Sequence, residues 1–76
     1  MELNDFIKHF SAQFEDVEPG IFEPGTKFKD IEDWSSLTAL SIIAMVDEEF
    51  NVSIKGDDII NSLTINDLFN IVKSRY

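Results

Sequence analysis

The apolar residues of this chain recur mainly at helical spacing and no stretch reads as a convincing strand, so its fold has to be built by packing helices on one another. Leu3, Phe6, Ile7, Phe10 and Phe14 form one stripe at the i, i+3, i+4, i+7, i+11 positions, which predicts a helix over 2–15. Asp5, Lys8, Gln13 and Glu15 lie off that stripe. A second helix is predicted over 36–50. With Ser36 at zero and about 100° per residue, Ala39, Ile42, Ile43, Val46 and Phe50 cluster on one core face. Leu37, Leu40 and Ala44 fall on the other side with Ser41 and Glu48, and Asp47 sits at the edge. This helix therefore carries apolar residues on a face that should meet solvent.

Two breaks, Pro19-Gly20 and Pro24-Gly25, predict a long loop over 16–34, with a short helical turn over 27–30. Phe22, Phe28 and Ile31 are its expected anchors. Asn51 to Gly56 reads as a second loop with Ile54 inward. Asp57–Asn61 predicts a short helix with Ile59 or Ile60 facing in. Thr64 opens a last helix to about Ser74, with Asp67 placed for a capping box and Ile65, Leu68, Phe69 and Val72 as its stripe. Lys73 and Arg75 suit the negative end of its dipole. The expected fold is one all-α domain over 1–76: a four-helix bundle with three longer helices, one short helix and a long first loop. No repeat or low-complexity segment interrupts it.

Composition narrows the function. Six Lys and Arg against fifteen Asp and Glu give a net charge of −9, a field that repels nucleic acid and anionic lipid and attracts basic protein surfaces. Hydrophobic content of 43% with seven Phe is enough for a core and argues against disorder. No apolar run approaches the ~20 residues of a membrane span. The opening MELNDFIKHF has no basic region before an apolar run, so no secretory signal is expected, and a cytoplasmic location is. There is no cysteine, hence no disulfide or cysteine metal site.

Chemistry concentrates at Asp33-Trp34-Ser35-Ser36-Leu37, where the long loop meets the second helix. A hydroxyl there can cap free backbone N–H groups, or it can hold a phosphate against the positive end of the dipole. Two adjacent serines permit both, with Ser35 as the cap and Ser36 as the exposed first-turn hydroxyl. Trp34 either covers the core edge or touches a partner.

The ordered set Ser36-Leu37, the apolar run TALSIIAMV, Asp47-Glu48-Glu49-Phe50, Val52, Ile54, an acidic short segment and Thr64-Ile65-Asn66-Asp67-Leu68 resembles the acyl carrier protein family over nearly the whole chain. In that family a Ser-Leu pair opens the second helix. Its Ser carries 4′-phosphopantetheine, installed from coenzyme A by a separate phosphopantetheinyl transferase. The resemblance implies that role for Ser36. Ser35 departs from the family's usual Asp; it keeps the capping ability and loses a charge near the transferase contact, while Asp33 carries one two positions earlier. The resemblance further implies a docking face of Leu37, Leu40, Ala44, Asp47 and Glu48 for transferase and synthase enzymes with basic patches. It also implies a cargo pocket, for which Phe28, Ile42, Val46, Ile54, Ile59, Ile60 and Leu63 are the candidate lining. Each of those seven is read first as an ordinary core residue.

The implied function is acyl carriage for fatty acid or related polyketide or specialised lipid biosynthesis, by a monomer with no chemistry of its own. A peptidyl or aminoacyl carrier, or an acidic interaction module with Ser36 bare, remain open. A serine hydrolase is poorly supported: His9 is the only histidine and reads as a solvated helix residue, leaving no visible triad. No metal site is expected. Asp57-Asp58 lacks the pattern of a calcium loop, and no zinc spacing, glycine-rich phosphate loop or basic patch occurs.

Overall fold

A computed structural model describes all of residues 1–76. It contains four helices and no strand: α1 Leu3–Ser11, α2 Ser36–Phe50, α3 Gly56–Ile60 and α4 Ile65–Arg75. Two 3₁₀ turns, Pro19–Ile21 and Phe28–Asp30, punctuate the long connection from α1 to α2. Neighbours pack in chain order, α1 on α2, α2 on α3 and α3 on α4, and α4 closes the ring against α1. The expected all-α bundle is thus what forms. No helix is long and apolar enough to cross a membrane.

α1 is shorter than its apolar stripe suggests. The Ser11 hydroxyl donates to the Lys8 carbonyl at 3.0 Å, and the Gln13 amide donates to the His9 carbonyl at 3.1 Å. These side chains occupy the last carbonyls, and the chain turns away through tighter bonds from Gln13 N–H to Phe10 O and from Phe14 N–H to Ser11 O. Phe14 stays buried, so the stripe outlasts the helix.

The core is largely aromatic at the loop end. Phe10 lies 5.7 Å from Phe14, 6.2 Å from Phe22 and 5.3 Å from Phe28, centroid to centroid. Phe28 lies 5.1 Å edge-on to Trp34. The long loop is therefore held by rings, not by regular structure. It also supplies backbone acceptors to α4: Ile65 N–H donates to Thr26 O at 3.1 Å and Asn66 N–H to Pro24 O at 2.9 Å.

The remaining N-terminal donors of α4 are satisfied locally. Asp67 N–H donates to the Thr64 hydroxyl at 3.1 Å, and the Asp67 carboxylate accepts from Thr64 N–H at 3.1 Å and Leu63 N–H at 3.0 Å. The shorter Asp completes the capping box, and these backbone donors hold its carboxyl below the usual carboxylate range. α2 ends on Asn51, in the left-handed region at φ 56°, which Asn tolerates better than most residues.

Candidate functional site: the start of helix α2

The first turn of α2 differs from that of α4. Ser35 is the N-cap, and its hydroxyl accepts from Thr38 N–H at 3.3 Å and lies 3.2 Å from the Thr38 hydroxyl. Thr38 in turn donates to the Asp33 carbonyl at 3.3 Å. The Ser35 hydroxyl is thus engaged in holding the loop to the helix. The Ser36 hydroxyl makes no hydrogen bond and is exposed. Ser36 N–H and Leu37 N–H also find no acceptor in the protein, whereas their counterparts on α4 are capped by the long loop. One helix start is closed and the other is open.

A groove of about 380 Å³ runs from Ser35 and Ser36 between α2 and α3. Trp34, Ala39, Leu40 and Ile43 form one side, and Gly56, Ile59 and Ile60 form the other, with Lys29 beside them. A larger concavity of about 690 Å³ lies elsewhere, in the long loop among Asp16, Glu18, Asp30, Glu32 and Asp33. Five of its ten lining residues are acidic, and Ser36 is not among them.

The docking candidates fall where the helical wheel puts them. Leu37 is 76% exposed and Leu40 62%, and Ala44, Asp47 and Glu48 are also exposed. The lining candidates divide. Phe28, Ile42, Val46, Ile54 and Ile59 are buried in the core. Of these only Ile59 reaches the groove. Ile60 is 69% exposed and sits on the groove's outer side; Leu63 is 57% exposed and lies off it. The reason is geometric. α3 is a single turn, and burying Ile59 rotates its neighbour Ile60 by about 100° towards solvent. Leu63 belongs to the following turn, whose N–H is tied to Asp67.

Two further residues were not legible as site residues. Ala39 and Ile43 were assigned to the core face but are half-buried at the groove. Trp34 packs on Phe28 and also borders the groove, so its covering role and its nearness to Ser36 go together. His9 keeps 38% of its side chain exposed on the helix, in line with the solvated histidine expected. It is half-buried edge-on to Phe50 at 5.5 Å, with Nε2 4.0 Å from the Glu49 carboxylate. Glu49 is thirteen residues along α2 from Ser36, roughly 20 Å at about 1.5 Å per residue, so His9 serves no base role at that hydroxyl.

An exposed unengaged hydroxyl, two free backbone N–H groups and an adjoining apolar groove fit a phosphodiester-linked arm. The N–H groups and the positive end of a 15-residue helix suit a phosphate, and the groove, lined by both apolar and polar residues, leaves room for an extended chain beyond it. No curated protein matches the chain significantly. The model of one family does, described as the phosphopantetheine attachment site, and it covers residues 5–72. The chain belongs to that family, a carrier domain to which 4′-phosphopantetheine is covalently attached.

Proposed function

We propose that Ser36 is the attachment residue and that the chain carries acyl intermediates for fatty acid or related lipid or polyketide biosynthesis. The observation that carries the assignment is the contrast between the two serines. Ser35 spends its hydroxyl on Thr38, and the hydroxyl of Ser36 is exposed and unbonded. A transferase can therefore reach Ser36 without breaking the helix cap. When attached, the arm supplies a terminal thiol on which cargo is held as a thioester. The chain's own residues do the rest. Ser36 fixes the arm, the N–H groups of Ser36 and Leu37 face the phosphate, and the groove shelters an apolar chain.

The groove's composition favours acyl over aminoacyl cargo. Ala39, Leu40, Ile43, Ile59, Ile60 and Trp34 give it an apolar lining suited to a hydrocarbon. The partners are the phosphopantetheinyl transferase and synthase enzymes with basic patches. They meet Leu37, Leu40 and Ala44, with Asp47 and Glu48 steering the encounter. Tethering keeps the cargo at high effective concentration near each docked enzyme.

The test is the intact mass after incubation with coenzyme A and a broad-specificity phosphopantetheinyl transferase, with Ser36→Ala and Ser35→Ala run alongside. One added phosphopantetheine, absent only from Ser36→Ala, is the expected result. Addition to Ser36→Ala, or no addition to the folded wild type across several transferases, would overturn the assignment.

A further inference from the structure

α3 is one helical turn, too short to hold itself, because the first turn of a helix fixes several residues for a single hydrogen bond. Its position must come from outside. Ile59 anchors it in the core. Its C-terminal carbonyls are reached by a side chain from far away in sequence: Lys29 Nζ donates to Ile60 O at 2.9 Å, and to Ile59 O, which also accepts from Ser62 N–H, at 3.3 Å. Its other end is held through Asp58. Arg75 makes two parallel bonds to the Asp58 carboxylate at 2.7 and 2.8 Å, and that carboxylate also accepts from Lys55 N–H at 2.9 Å. The Ser62 hydroxyl, almost wholly buried, donates to the Asp58 carbonyl at 2.8 Å.

The two cations differ in one respect. Arg75 stands away from the groove, whereas Lys29 is part of its lining, beside Ser36, Ile59 and Ile60. Lys29 also belongs to the 3₁₀ turn whose Phe28 is locked in the aromatic core, so its stem starts from a fixed point. The bond to α3 is at or near the surface and correspondingly easy to break.

We propose that Lys29 is the positioning residue of this groove: its ammonium clips the C-terminal end of α3 to the loop and so sets how far the groove opens for cargo. The cargo role rests on the attachment reading above; the clip does not. Release of the clip leaves α3 held by Ile59 and Arg75 and lets the Ile60 side swing outward. The groove then admits a longer chain and shelters a short one less.

Amide hydrogen exchange on the unmodified protein tests the clip. The reporters are the N–H groups of Ile59, Asn61 and Ser62, which bond to Lys55 O, Asp57 O and Ile59 O. Lys29→Met keeps the stem and removes the ammonium. It should speed their exchange by about fivefold, the net worth of roughly one exposed hydrogen bond, while α2 and α4 amides stay unchanged. Lys29→Arg should restore protection to within about twofold. Unaltered exchange in Lys29→Met would overturn the proposal. The second readout is cleavage of an octanoyl thioester by hydroxylamine on the loaded protein, which should be faster in Lys29→Met than in the wild type. Faster exchange with unchanged cleavage would show that Lys29 holds α3 without governing the groove, and would overturn the cargo role. Failure of the wild type to accept the arm would overturn the attachment reading and the cargo role with it, leaving the clip to be decided by exchange.

Discussion

Phe28 is the only fully buried side chain between Pro24 and Trp34, and it joins the long loop to the bundle. Its ring is edge-on to Phe10 at 5.3 Å and to Trp34 at 5.1 Å. Truncation to Ala removes a whole ring from a site with no solvent access, which costs about 3–5 kcal/mol. A domain of 76 residues has roughly 4–11 kcal/mol to lose, so Phe28→Ala should be close to unfolding at room temperature. Phe28→Leu fills most of the space and should cost no more than about 1.5 kcal/mol. Urea unfolding followed by far-ultraviolet circular dichroism and by fluorescence gives both numbers. With a slope of about 1 kcal/mol per molar urea, the Ala variant should lose roughly 3–5 M from its midpoint. Trp34 is the only tryptophan, so native-state emission reports whether its contact with residue 28 survives. It should shift to the red in Phe28→Leu even where the protein stays folded. A cost under about 1 kcal/mol for Phe28→Ala, with Trp34 emission unchanged, would refute the view that the ring cluster holds the loop and the approach to Ser36.

Two more outcomes are open to direct measurement. Asp47 and Glu48 are exposed and take part in neither of the two ion pairs, so reversing both to Lys should change stability by no more than about 0.5 kcal/mol. It should lower transferase kcat/KM by about tenfold or more at low salt, with the gap narrowing as salt rises; equal rates at low salt would remove α2 as the docking face. The Arg75 guanidinium, and then Lys55 N–H, hold the Asp58 carboxyl below the usual carboxylate range. A folded pKa lowered in this way stabilises the protein above the unfolded value of about 4, and that contribution is lost as pH falls through the folded value. The gap in melting temperature between wild type and Asp58→Asn should therefore be full at pH 6 and shrink below about pH 4; a gap independent of pH would mean that the Asp58 charge does not brace α3.

The helices were legible because their apolar residues are periodic and their caps are local. α2 was read with its observed bounds, and Thr64 with Asp67 marked the start of α4. The Ser35 cap and the first-turn place of Ser36 were legible to the same extent, since an N-cap and a first-turn residue are defined by position along one helix. What escaped was non-local. Met45 is buried, although the wheel left it off the core face, because contacts from two neighbouring helices widen the buried arc of α2. Ile60 and Leu63 had the composition of core residues, but a one-turn helix can turn only one of its two isoleucines inward. The bracing of α3 depends on Lys29 and Arg75, which stand about thirty and seventeen positions from the groups they bind, and no short-range pattern marks such pairs.

Leu40 belongs to two surfaces at once. It is part of the exposed strip of α2 and also part of the rim of the groove between α2 and α3. A protein that covers the strip must also rest on that rim, so the proposed docking face is continuous with the wall of the cavity beside Ser36. A chain lying in the groove changes the relief of the rim. On the proposed reading, with cargo in the groove and enzymes on the strip, full and empty carriers present different shapes to the same enzyme, and cargo is readable from outside before any chemistry begins.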